Sequence, residues 1–138
     1  MITRETDYAI RLLRSLTDRE LHPVAEIAEK ELVPQAFSYK ILKKLSKAGY
    51  IQISRGSDGG CRLIADLNQI SLYDLMKTMG DNCGITRCMD AAYECPWREQ
   101  HGNCEVHNCL TKIQDTVTAE LEAHTLQELI HDGAYANE

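Results

Sequence analysis

The feature that most restricts the fold is a change of apolar period at Gly49-Tyr50. Before it, Phe37, Ile41, Leu42, Leu45 and Ala48 recur at helical spacing. Pro34 suits the opening of that helix and Gly49 its C-terminal stop, so the pattern predicts a helix from about Pro34 to Ala48. After it, Tyr50, Ile51 and Ile53 read as a short strand and Cys61, Leu63 and Ile64 as its return. Arg55-Gly56-Ser57-Asp58-Gly59-Gly60 is the turn between them, because glycine accepts positive φ at little cost. A helix that runs straight into a glycine-tipped hairpin leaves few architectures open.

At about 100° per residue, Ala36, Tyr39, Lys40, Lys43 and Lys47 fall opposite the buried stripe. Upstream, Ala9, Leu12, Leu13 and Leu16 mark a first helix over about 3–17, and Val24, Ile27, Ala28 and Leu32 a short one over 24–31. Short helix, turn and basic helix form the helix-turn-helix arrangement, and a hairpin directly after it is a wing. The expected fold is mainly α: a winged helix-turn-helix DNA-binding domain with a β-hairpin wing and a long C-terminal dimerisation helix. The net charge of −6 hides an asymmetry. Residues 1–65 hold 11 basic and 8 acidic residues, whereas residues 66–138 hold 4 and 13. Between 34 and 62 the balance is +5. Local charge governs attraction to phosphates, so double-stranded DNA is the expected partner. Gln35, Tyr39, Lys40, Lys43 and Lys44 are the candidate major-groove contacts, and Arg55 the candidate for the minor groove. The plainer alternatives are a solvated lysine face and an arginine that stabilises the hairpin.

Ser71-Leu72-Tyr73-Asp74 has the form of a capping box and opens a short helix through about Met79. Residues 80–103 lack periodicity and read as a loop, one long enough to fold around something. Val106, Leu110, Ile113, Val117, Leu121 and His124 predict a last helix over about 104–131, stopping near Gly133. Such a helix would be about 40 Å long, more than a small core needs, and its unused stripe suggests a homodimer. The expected division is a DNA-binding domain over 1–80, a cysteine-rich cluster-binding loop over 81–103, and a dimerisation helix and tail over 104–138. No stretch of about 18 apolar residues could span a membrane, and the N-terminal residues lack a secretory apolar run, so a cytoplasmic location and no membrane partner are expected. In that compartment six cysteines point to metal binding or redox chemistry, and no nucleophile–base constellation suggests an enzyme.

Several segments together resemble the Rrf2 family of bacterial regulators. Thr6-Asp7-Tyr8-Ala9-Ile10-Arg11 is similar to its first-helix motif, and Leu42-Lys43-Lys44-Leu45-Ser46-Lys47-Ala48-Gly49-Tyr50-Ile51 to the end of its recognition helix. Ser54-Arg55-Gly56-Ser57-Asp58-Gly59-Gly60 resembles its wing, and Thr125-Leu126-Gln127-Glu128-Leu129 its final-helix motif. The likeness runs over about residues 2–131. It implies a homodimer on a near-palindromic operator, with three cysteines before or at the start of the long helix holding an iron–sulfur cluster. Cys104-Glu105-Val106-His107 resembles the cysteine-x-x-histidine of one cluster-bearing branch. Asp7 matches the position whose carboxylate ligates across the dimer in another. The spacing Cys88-x6-Cys95-x8-Cys104 is wider than in those branches, and Cys61 stands where the family's wing has an aromatic.

The spacing itself bears on the chemistry. Thiolates are soft ligands for iron–sulfur clusters, zinc or copper, but structural zinc sites pair cysteines two to four residues apart, and Cys88, Cys95 and Cys104 are not so paired. Cys104 and His107 share a helix face, whereas Cys109 lies about 140° round from Cys104. The expected ligand set is Cys88, Cys95 and Cys104, with His107 or Asp7 as fourth and Cys83 as the substitute for Cys88. A 2Fe–2S cluster is preferred over 4Fe–4S, sensing redox, nitric oxide or iron–sulfur status. The alternative is a cluster-free winged-helix regulator that senses through its thiols or through a protein partner. Asp7 also has the simpler reading of a partner for the helix dipole, and Cys61 and Cys109 that of inert thiols.

Overall fold

The computed structural model describes residues 1–132. Helix α1 (Arg4–Arg14) starts at Thr3, whose hydroxyl accepts from the Thr6 amide. Its apolar face, Ala9, Leu12 and Leu13, is fully buried, as is Leu16 just beyond it. Helices α2 (Val24–Lys30) and α3 (Gln35–Lys47) form the helix-turn-helix and pack on each other and, through α3, on α1. The turn between α2 and α3 contains Leu32 in the left-handed region at φ +54°. Helix α3 ends as its sequence predicts, with Ala48 as the cap residue and Gly49 at φ +82°.

Two features of α3 differ from the expected stripe. Ser38, Ile41, Leu42 and Leu45 are buried, whereas Phe37 and Ala48 are exposed. Ser38 takes the inward arc because its hydroxyl is satisfied by the Pro34 carbonyl at 3.3 Å. Phe37 falls on the flank, where its ring meets Tyr8 of α1 edge-on at 6.0 Å.

Strands β1 (Ile51–Ser54) and β2 (Gly60–Leu63) pair antiparallel, with Ile51 opposite Leu63 and Ser54 opposite Gly60. His22, in the link between α1 and α2, adds a third rung: its amide donates to Cys61 O at 3.0 Å and its carbonyl accepts from Cys61 N at 2.9 Å. The chain passes so close here that a Cβ on Gly60 would lie 2.2 Å from the His22 carbonyl oxygen.

Helix α4 (Leu72–Met79) carries the predicted capping box, with the Asp74 amide donating to the Ser71 hydroxyl and the Ser71 amide to the Asp74 carboxylate. The segment expected as a loop is more ordered than that. It holds a 3-10 turn at Arg87–Met89 and a short helix α5 (Pro96–His101), opened by Pro96 and closed at Gly102, with φ +82°. The last helix, α6, covers Glu105–Ala123 and not 104–131. It breaks at His124 because the chain turns back into the core. Leu72 N donates to His124 O at 2.9 Å, Thr125 bridges Ser71, and Leu126 N donates to Ile70 O at 2.8 Å. Leu126 is fully buried, and a π-helical turn, Glu128–Asp132, follows. The expected stop at Gly133 lies outside the described residues. Helix α6 packs against α4 and the Arg87–Met89 turn, yet none of its own residues is buried. Among the described residues no helix is long and apolar enough to cross a membrane.

Candidate functional site

The surface of α3 presents Gln35, Tyr39, Lys40, Lys43 and Lys47 to solvent, with Tyr39 more than half exposed. Strand β1 packs on α3, so the hairpin is held against that helix. Arg55 is exposed at the wing turn. Of the sequence-predicted DNA contacts, Gln35, Tyr39, Lys40, Lys43 and Arg55 are exposed and Lys44 is half-buried, and the lysines differ in their pairing. Lys40 and Lys44 both donate to the Glu5 carboxylate of α1, each at 2.5 Å, and Lys44 also donates to the Met79 carbonyl at 2.8 Å. Lys43 and Lys47 make no ion pair among the described residues. Hydrogen bonds from Lys40 and then Lys44 hold the Glu5 carboxyl below the ordinary carboxylate range. Periodicity did not single out Glu5, and it placed the exposed Phe37 in the buried stripe. An acidic residue 35 positions from its lysine carries no local signal, and Phe37 sits at the edge of an otherwise apolar arc.

The start of the cysteine segment is tied to α1. Thr3 Oγ1 and Thr6 Oγ1 each donate to the Asp81 carboxylate at 2.5 Å, and the Thr3 amide adds a third bond at 3.2 Å. A few residues on, the segment is tied to α6, where Gln114 accepts from Ile85 N at 2.7 Å and donates to Cys83 O at 3.0 Å.

Within that frame Cys88 lies in the Arg87–Met89 turn and lines a cavity with Asp90, Tyr93, His107 and Asp115. Cys104 is the N-cap of α6, and its sulfur accepts from the His107 amide at 3.4 Å. The His107 ring has Nε2 3.4 Å from an Arg98 nitrogen, while its Nδ1 is buried without a hydrogen-bond partner. Cys95 precedes α5 and does not line the same cavity. Asp7 is paired with Arg11 one turn along α1, at 2.9 Å. Cys83 is half-buried, Cys109 exposed and Cys61 buried in the core. Burial pushes the Cys61 thiol up to about 11. Cys88 and His107 thus line one cavity and Cys104 caps the helical turn that carries His107, whereas neither Cys95 nor Asp7 lines that cavity. Among the described residues, no three His, Cys, Asp or Glu side chains come close enough together to hold a metal ion. Soft sulfur donors and a buried nitrogen lacking a partner fit a thiophilic group in kind; the described geometry does not close around one.

A family model described as "Rrf2: Iron-dependent Transcriptional regulator" matches residues 2–132. Protein aau3 of Rhizobium meliloti (strain 1021) is 30% identical over 132 residues, covering 94% of this chain and 84% of its own. Among solved structures, T. potens IscR superposes with a TM-score of 0.71 at 16% identity, covering 100% of this chain and 91% of that one. CymR, described as the global cysteine regulator of B. subtilis, superposes with a TM-score of 0.66 at 19% identity, covering 94% and 95%. These two likenesses bear on the fold alone.

Proposed function

From the premise that the chain belongs to the Rrf2 family of DNA-binding transcription regulators, which are not enzymes, we propose that α3 and the wing read an operator together and that the cysteine segment modulates them. The observation that carries this reading is the exposed lysine face of α3, on a helix against which the first strand of the wing packs. Lys43 and Lys47 supply phosphate contacts, Gln35 and Tyr39 reach base edges, and Arg55 enters the minor groove. Lys40 and Lys44 join them when they leave Glu5.

The active species is a homodimer. Helix α6 has no buried residue within one chain, and Val106 and Ile113 stay more than half exposed, which is costly to leave uncovered on a helix of this length. Two-fold pairing through α6 places two copies of α3 in successive major grooves of a near-palindromic site.

Cys88, Cys95 and Cys104 would hold the sensor cluster, with His107 as fourth ligand. His107 is favoured over Asp7 because its Nδ1 lacks a partner, whereas Asp7 is engaged by Arg11. An imidazole beside thiolates accords with 2Fe–2S chemistry. When bound, such a group would supply a centre sensitive to redox state and nitric oxide. The chain's own residues do the coupling: Asp81 ties the start of the segment to α1, and Gln114 ties Cys83 and Ile85 just after it to α6. A second reading, regulation by thiols or a protein partner with no cluster, is favoured by the lack of a converged donor set among the described residues.

Two measurements test these statements. Lys43→Ala should weaken binding to every duplex and flatten its salt dependence, because each lost phosphate contact removes about 0.9 from the slope of log K against log salt. An unchanged slope would show that α3 does not face DNA. Iron and sulfide per chain in anaerobically isolated protein separate the two sensor readings. The cluster reading expects both, with loss of colour in Cys104→Ala; the thiol reading expects neither.

A further inference from the structure

Glu5 engages two of the lysines that α3 would offer to DNA phosphates. Its carboxylate is only 21% exposed and accepts from both Lys40 and Lys44. Two of the four lysines on α3 are therefore neutralised inside the chain. The carboxylate is also built in place. The first turn of α1 that carries it is capped by Thr3 and fastened through Thr3 and Thr6 to Asp81. Lysine stems swing freely on a surface; a carboxylate on an anchored first turn does not.

We infer that Glu5 is an internal competitor for the phosphate backbone, holding Lys40 and Lys44 off non-cognate duplex and so setting the specificity of DNA binding. The inference rests on the assignment of α3 as the DNA-reading helix. A contact by Lys43 releases counterions from the duplex with nothing given up in the protein. A contact by Lys40 or Lys44 breaks an ion pair, and the freed carboxylate collects a cation in return. The exchange is worthwhile only where base contacts hold the helix in register. On a random sequence it is not, and binding stays weak. The pairs are partly exposed, so they are exchangeable rather than locked.

The test uses full-length protein and a random-sequence duplex, followed by fluorescence anisotropy over a range of salt. Glu5→Gln keeps the side chain's shape and removes its charge. It should tighten non-cognate binding about five- to tenfold and steepen the salt slope by about one, the cation no longer collected. The gain should shrink in a Lys40→Ala background, and the same charge change at Glu122, exposed on α6, should give none of it. Unchanged affinity and slope in Glu5→Gln, while Lys43→Ala still weakens binding, overturns the inference and leaves the DNA-reading helix in place. Weaker binding with a lowered melting temperature makes Glu5 a structural strut and overturns it too. An equal gain from Glu122→Gln reduces the effect to net charge and overturns it. No effect of Lys43→Ala removes the reading on which the inference rests.

Discussion

Leu126→Ala tests the least anticipated part of the fold, the return of the chain into the core after α6. Leu126 is fully buried, and the backbone is fixed at it and two residues before it, by Leu126 N to Ile70 O at 2.8 Å and by Leu72 N to His124 O at 2.9 Å. Truncating a buried leucine costs about 2–5 kcal/mol, and more where the surroundings cannot collapse into the space. With the backbone held there, the upper half of that range applies, about 3.5–5 kcal/mol. A chain of this size loses roughly 3–5 °C of melting temperature per kcal/mol, so the expected drop is about 10–25 °C. Circular dichroism melts at several protein concentrations are the assay, with Leu129→Ala, at a 37% exposed position, as the control. Were residues 104–131 one continuous helix, Leu126 would lie outside the core. Its truncation would then act through assembly, with an effect that fades at high concentration. A drop no larger than that of the control, or one that vanishes on concentration, would refute the core placement.

Glu31 is buried beside Arg14 and Ser15, with Ser15 Oγ donating at 2.5 Å. Burial alone would raise its carboxyl, but the Arg14 guanidinium and Ser15 hydroxyl outweigh burial and hold it below the ordinary value. The charged form therefore stabilises the fold: the contribution is complete above the unfolded carboxylate value and disappears as pH falls through the folded one. Glu31→Gln should be less stable than the parent at neutral pH, with a gap in urea unfolding that narrows on acidification; a gap independent of pH counts against the pairing. Gly60→Ala places a methyl 2.2 Å from the His22 carbonyl oxygen and should cost about 1–3 kcal/mol. Hydrogen exchange at the His22 and Cys61 amides should accelerate, and unaltered exchange would show that the backbone accommodates the methyl. Cys61, buried with its thiol near 11, should resist iodoacetamide at neutral pH while exposed Cys109 is alkylated. Rapid labelling of Cys61 in folded protein would contradict its place in the core.

Local chemistry made some elements readable and not others. Helix α3 was legible because Pro34, Gly49 and an apolar arc agree, and α4 because Ser71 and Asp74 form both bonds of their box. Helix α5 carried punctuation at Pro96 and Gly102, but six residues give too little periodicity to notice. The break in α6 is a tertiary event. Residues 121–131 keep a helical pattern, and only the pairing of Thr125 with Ser71 and the burial of Leu126 interrupt it. Thr125-x-x-Glu128 was the one local sign of a restart, and the Glu128 amide does donate to the Thr125 hydroxyl at 3.2 Å. In the site, spacing anticipated that Cys104 and His107 would be neighbours. No spacing rule could place Glu5 between two lysines of another helix, since that depends on how α1 crosses α3.

The hairpin is stitched at its base from two directions, to its own return strand and to the His22 linker. Bending freedom is thereby confined to the few residues from Arg55 to Gly59. On the proposed reading, the tip would follow a narrower or wider groove while α3 keeps its register. Sequence and local duplex shape would then be judged by separate parts of one domain, and a variation in groove width need not disturb the reading of base edges.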